Sequence, residues 1–118
     1  AGLADSMSGT PNLNTALLNL PREMFCILLA HEPDVADDIA KDGRVHLQLS
    51  GHAHGGQVQV PFFGAPVLPP LGKQYPDGLY TVGNLQVYTT RGVGLIGPPF
   101  GPPVRFNCRP EVSLLVLN

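Results

Sequence analysis

The sequence is short of charge, of cysteine and of long apolar runs, and it has no tryptophan at all. Charged residues fill only 14% of the 118 positions, and the seven basic ones stand singly, so no stretch of positive charge would track a phosphate backbone. With a net charge of −2, neither nucleic acid nor an anionic membrane is an expected partner. No apolar stretch approaches the ~20 residues that a membrane span needs. The opening AGLADSMSG carries neither the basic nor the apolar segment of a signal peptide, and its first residue suggests a processed or excised chain. The two cysteines, Cys26 and Cys108, form no C-x-x-C pair. Cys26, set inside an apolar run, is expected to be a buried free thiol. No internal repeat or low-complexity tract is visible.

What is present is enough for a core. Hydrophobic residues make up 43% of the chain, which suits one ordinary folded domain and not a disordered segment. Glycine (14) and proline (13) are abundant and unevenly placed, with most prolines in residues 61–76 and 92–103. Proline lacks a backbone donor and fixes its own φ, so these stretches read as long ordered loops. Loops of this length often border functional sites.

The front half alternates strand and helix. NLNTALLNL (12–20) reads as a short amphipathic helix entered through Asn12 or Asn14 and stopped before Pro21. MFCILLA (24–30) is a continuous apolar run, the pattern of a strand covered on both faces. DVADDIAKDG (34–43) reads as a helix closed by Gly43, and RVHLQLS (44–50) as a second strand. This is a βαβ unit, with parallel strands and a right-handed crossover. Beyond Gly56 the pattern becomes mostly antiparallel β. QVQV (57–60) reads as an exposed strand, GLYTV and LQVYTT as a hairpin turning at Gly83-Asn84, and EVSLLVL (111–117) as a last strand.

Three of the four histidines are placed where chemistry is expected. His31 ends the first strand, in LLAHEPD, and His52 and His54 follow the second, in SGHAHGGQ. Ligands of open α/β sheets bind beyond the carboxy ends of the strands, so all three histidines reach one edge. Imidazole offers a neutral lone pair near pH 7 and is the commonest metal ligand. Gly51, Gly55 and Gly56 allow a sharp turn and a close approach to an ion. In an extended segment alternate residues point the same way, which would aim His52 and His54 into one cavity and Ala53 away from it. A lone strand histidine is usually structural, and His46, lying mid-strand, reads that way. H-x-H among glycines, with a third histidine ending the neighbouring strand, favours a metal site.

On these residues the chain resembles the calcineurin-like binuclear metallophosphoesterases, whose last signature motifs are a strand-ending histidine and then G-H-x-H. The likeness is to the bacterial, membrane-associated branch with L-x-H-x-P-D and S-G-H-T-H-G-G-Q. These correspond to Leu29, His31, Pro33 and Asp34, then to Ser50 through Gln57 with Ala53 in place of threonine. The branch's Y-P-x-G-L-Y, R-G-x-G and C-R-P-E segments are also present, at Tyr75 to Tyr80, Arg91 to Gly94 and Cys108 to Glu111. The resemblance implies α/β architecture, half of a four-layer αββα sandwich in which two sheets pack face to face. It implies that His31 and His52 bind the second and His54 the first of two divalent ions of the Mn, Fe or Zn class, roughly 3.5–4 Å apart. The expected substrate is a phosphate ester, monoester or diester.

The same resemblance sets expectations about what else is needed. The family's D-x-H, G-D-x-x-D and G-N-H-D or G-N-H-E motifs do not occur here. Residues 1–118 are therefore expected to be the carboxy-terminal part of a single domain, catalytically incomplete alone, with no catalytic residue of their own. A half-domain exposes apolar sheet edges, which implies self-association or contact with the amino-terminal half. The implied location is the bacterial cytoplasm or the membrane periphery. Arg91 is a candidate for binding substrate phosphate through its guanidinium fork. Gln57 is a candidate for supporting the histidines by a hydrogen bond. Two other readings are a non-catalytic interaction module that keeps the fold, and a structural zinc site built from the histidines and a cysteine.

Overall fold

The computed structural model describes residues 1–99 and 103–118. Part of the second proline-rich stretch, at 100–102, therefore lies outside the described residues. The fold is mixed α/β, with one four-stranded sheet and two short helices. In chain order the elements are α1 (Leu13–Ala16), β1 (Ile27–Leu29), α2 (Ala36–Asp42), β2 (Leu47–Ser50), β3 (Gly78–Val82) and β4 (Leu85–Thr89). Short 3₁₀ turns at Pro33–Val35 and His54–Gly56 follow β1 and β2.

The βαβ unit is present as read. β1 and β2 run parallel, with Ile27, Leu28 and Leu29 opposite Leu47, Gln48 and Leu49. Helix α2 has Asp37 and Asp38 in its first turn and Lys41 in its last, matching the polarity of its dipole. It ends at Gly43, whose φ of +77° is the left-handed conformation that glycine adopts without strain. α1 is shorter than its apolar pattern, but Asn12 caps it as expected, accepting from Thr15 N–H at 3.0 Å.

The sheet order is β1-β2-β4-β3. β3 and β4 form the antiparallel hairpin, turning at Gly83 with φ +59°. β4 also lies parallel to β2, so the sheet is mixed and the antiparallel part is confined to that hairpin. Leu28, Gln48, Val87 and Tyr80 are aligned across the four strands on the face that α2 covers. Leu17, Cys26, Leu28, Ala36, Ile39, Val45, Leu85 and Val87 form the core there, and Cys26 is a buried free thiol. Burying each of the larger aliphatic side chains contributes about 1.5–3 kcal/mol. The opposite face aligns Leu29, Leu49, Tyr88 and Leu79 and is open, with Leu29 58% and Leu79 64% exposed. A cleft of about 500 Å³ opens there and runs past Leu115 to His31.

Two expected strands do not form. Residues 57–60 make only isolated bridges, Val58 to Phe106 and Val60 to Gly64. Residues 111–117 pair with no strand, although Glu111 N–H reaches Gly92 O at 3.0 Å. Alternation specifies a strand only where another strand offers its edge. Among the described residues none is aligned with these segments, and Val112 and Leu114 remain 91% and 89% exposed.

Candidate metal centre

The parallel pairing of β1 and β2 puts their carboxy ends side by side. Ala30 N–H donates to Leu49 O at 3.1 Å, and Gly51 N–H donates to His31 O at 3.1 Å. The backbone thus fastens the His31 turn to the His52 turn. β4 joins the same edge, because Thr90 N–H donates to Ser50 O at 2.9 Å and leads into Arg91.

His31 Nε2 lies 3.2 Å from His52 Nδ1, with the rings edge to face and their centroids 4.9 Å apart. The other nitrogen of His52, Nε2, is 2.8 Å from Pro70 O. A carbonyl only accepts, so Nε2 carries the proton and the Nδ1 of a neutral His52 presents its lone pair toward His31. A backbone carbonyl that fixes the far nitrogen in this way is the usual support of a metal-binding imidazole. Two nitrogens bound at about 2.0–2.1 Å to a tetrahedral ion are roughly 3.3 Å apart, close to the observed separation.

His54 stands apart from this pair. The turn after β2 is not extended: His52, His54, Gly55 and Gly56 have φ of 59°, 50°, 60° and 74°. The alternation expected to aim both histidines into one cavity requires extended backbone, which this turn lacks; His54 is outside the close group of His31, Glu32 and His52, although the charges of His31 and His52 still reach its ring. Ala53 points back into the protein as expected, at 2% exposure. Four consecutive positive φ values, from His54 to Gln57, and two left-handed histidines are sparsely populated conformations, which persist where surrounding structure imposes them. His54 Nδ1 lies 3.4 Å from Arg105 Nη2 and so faces it as an acceptor. Burial, with the Arg105 charge added, pushes the His54 pKa below its ordinary value and favours the neutral ring.

The remaining candidates have definite partners. Arg91 Nε donates to Asp77 Oδ2 at 2.6 Å and lies 3.8 Å from Glu111 Oε2. Its terminal nitrogens make no hydrogen bond among the described residues. Gln57 bonds the loop after β4 instead of a histidine: its Nε2 donates to Ile96 O at 2.9 Å, and its Oε1 accepts from Ile96 N–H at 2.5 Å. His46 is structural, stacked on Phe25 at 5.0 Å and accepting from Cys26 N–H at 3.2 Å. Cys108 is buried, with its thiol donating to His54 O at 3.3 Å, and no cysteine joins a group of metal-competent donors among the described residues.

Two residues escaped sequence reading. Arg105 donates to the carbonyls of Arg91, Gly92, Gly94 and Cys108 and so fixes the loop around His54. A single arginine in a glycine- and proline-rich stretch gives no sign of such a role. Glu32 is the other. Its carboxylate and the ring nitrogens of His31 and His52 lie within 4.8 Å of one another. A glutamate between a histidine and a proline reads as surface, yet this one is 1% exposed.

Comparison with known proteins shows the family. No family model matches the chain, and no solved structure matches it. The chain is 44% identical over 118 residues to the uncharacterized metallophosphoesterase YkuE of Bacillus subtilis, covering all of this chain and 40% of that protein. It is 46% identical over 99 residues to the phosphodiesterase YaeI of Escherichia coli, covering 84% of this chain and 33% of the relative. It is 37% identical over 109 residues to a transmembrane protein with metallophosphoesterase domain of Danio rerio, covering 91% and 23%. The chain therefore spans two fifths or less of the length of these relatives. No helix among the described residues is long and apolar enough to cross a membrane. The chain belongs to the calcineurin-like metallophosphoesterase superfamily.

Proposed function

We propose that this chain supplies part of the ligand set of a binuclear metal centre that hydrolyses phosphomonoesters or phosphodiesters. The observation that carries the reading is the 3.2 Å approach of His31 Nε2 to His52 Nδ1 at the ends of two parallel strands. The donors suit divalent ions of the Mn, Fe or Zn class, which accept imidazole and carboxylate together. In this reading His31 and His52 hold the second ion and His54 the first, with the bridging carboxylate coming from sequence outside this chain. Divalent ions held by these residues would supply Lewis acidity toward a phosphoryl oxygen and a bound water of lowered pKa.

The chain's own residues position and neutralise. Pro70 O keeps His52 in the tautomer whose Nδ1 lone pair faces the site. Asp77 holds Arg91 by Nε, which orients the guanidinium and leaves its terminal nitrogens for a substrate phosphate at the rim. Arg105 stabilises the loop beside His54 and adds positive potential there. The open face bearing Leu29 and Leu79 is the surface for the rest of the domain or for a second copy.

The test is Mn²⁺-dependent hydrolysis of a chromogenic phosphodiester by the domain that contains this chain. His52→Ala is expected to reduce turnover by at least about 100-fold, because losing a ligand costs no less than losing a residue that supports one. Undiminished turnover in that variant would overturn the reading.

A further inference from the structure

Among the described residues, the one charged side chain with a buried oxygen lacking a hydrogen-bond partner is Glu32. Its Oε2 accepts from Ser6 N–H at 3.0 Å, while Oε1 has no hydrogen-bond partner. No lysine or arginine pairs with it, since the ion pairs among the described residues are Lys41–Asp38, Arg44–Asp42 and Arg91 with Asp77 and Glu111. Asp5 brings a second carboxylate alongside. A carboxylate at 1% exposure with an idle oxygen is costly unless a charge or a metal compensates it.

The compensating group has a place to sit. One Glu32 oxygen and the nitrogens of His31 and His52 lie within 4.8 Å of one another, and the two nitrogens already stand at the spacing of ligands on one ion. The motif L-x-H-x-P-D leaves position 32 open, so the resemblance assigns this residue nothing.

The geometry points to Glu32 as a carboxylate ligand that, with His31 and His52, lets this chain bind one divalent cation by itself. Two imidazoles and a carboxylate are a donor set of mononuclear zinc and non-haem iron. The inference rests on the reading of His31 and His52 as ligands, and adds that the segment is a cation site without the bridging carboxylate of the binuclear centre. Glu32 is the only one of the three donors that is fully buried, so its oxygen anchors the ion on the protein side while His31 stays exposed.

Co²⁺ is the probe, titrated into the 118-residue chain and followed by its visible absorption, with Zn²⁺ competition giving the affinity. Glu32→Gln keeps the size of the side chain and an acceptor for Ser6 N–H. It is expected to weaken binding by about 10–100-fold while leaving the metal-free circular dichroism unchanged. His52→Ala is expected to abolish binding. If Glu32→Gln binds as the unaltered chain does while His52→Ala does not, the role of Glu32 is overturned and the histidine reading stands. If His52→Ala also binds normally, the histidine reading fails with it. An unaltered chain that binds no Co²⁺ overturns the proposal alone, because the binuclear reading is judged by turnover of the longer domain. Should Glu32→Gln not fold, X-ray absorption of the zinc-loaded chain decides: two imidazoles with carboxylate oxygen are expected, and a three-imidazole shell overturns the proposal.

Discussion

The glycines around the histidine turn give a prediction in which conformation and space are separable. Gly56 has φ +74°, and a Cβ built there would stand 2.4 Å from Ala65 Cβ, 3.0 Å from Val67 O and 3.3 Å from Leu68 Cδ2. Gly43 has φ +77° with nothing within 4 Å, and Gly51 has neither a left-handed φ nor a neighbour within 4 Å. Alanine at 43 therefore meets only the left-handed cost, about 1–2 kcal/mol. Alanine at 56 meets that cost and the overpacking of two chain segments, together about 2–5 kcal/mol. Alanine at 51 restricts the unfolded chain alone and is expected to be neutral or to stabilise by about 0.4–1 kcal/mol. Urea unfolding reads these differences, since a slope of about 1–3 kcal/mol/M turns the Gly56→Ala loss into a midpoint shift of roughly 0.7–5 M. The order of loss should be Gly56 greatest, Gly43 intermediate and Gly51 least, at unchanged slope. Equal losses at 56 and 43 would refute the claim that close packing against Ala65 and Val67 shapes the turn.

Other outcomes follow from the packing and the charges. Leu28→Ala, at a fully buried position in the core, should cost about 2–5 kcal/mol by the same urea assay; a loss below 1 kcal/mol would mean the sheet face is not packed as described. Ser113 and Tyr88 hold the Glu111 carboxyl below its ordinary pKa, and Arg44 does the same for Asp42. Depressed carboxylates bind protons more weakly folded than unfolded, so their stability is complete above the ordinary carboxylate range near pH 4 and is lost as pH falls through the folded values. Arg44→Ala should flatten that acid limb of the thermal midpoint, and an unchanged limb would exclude the Arg44 contribution. The open sheet face should drive concentration-dependent association in sedimentation, relieved by Leu79→Lys; a monodisperse 12.5 kDa species from the unaltered chain would contradict it.

Much of this arrangement was legible because it rests on local signals. The helix of 36–42 carried its own stop at Gly43, the hairpin its turn at Gly83, and the parallel pair its apolar runs around Leu28 and Leu47. Strand ends then located His31 and His52 without knowledge of any contact. What failed depended on partners far away in sequence. QVQV and EVSLLVL have a strand's alternation, but a strand also needs an edge to pair with, and alternation does not report whether one exists. Met24 and Phe25 belong to the apolar run before β1, yet they lie outside the strand and are 51% and 56% exposed, with Phe25 stacked on His46. Glu32 and Arg105 act through tertiary contacts that neighbouring residues do not encode.

The separation of His54 from the other two histidines follows from the same distinction. The bonds Ala30 to Leu49 and Gly51 to His31 fasten the two strand ends together, and Pro70 O holds the His52 ring in the turn beyond β2, so the His31 and His52 nitrogens meet before any ion arrives. His54 is placed by a turn whose shape rests on Gly55, on Gly56 and on loop contacts from Arg105 and Cys108. Adding a Cβ at Gly55 would bring it 2.9 Å from Cys108 Sγ and 3.1 Å from Arg91 Cγ, so that turn is pressed directly against the arginine loop. A ligand pair set by sheet register is preorganised, whereas a ligand set by loop packing moves with whatever packs on the loop. On the proposed reading, His31 and His52 are paired within this chain, and His54 is the ligand whose position follows the packing of the Arg105 and Cys108 loop.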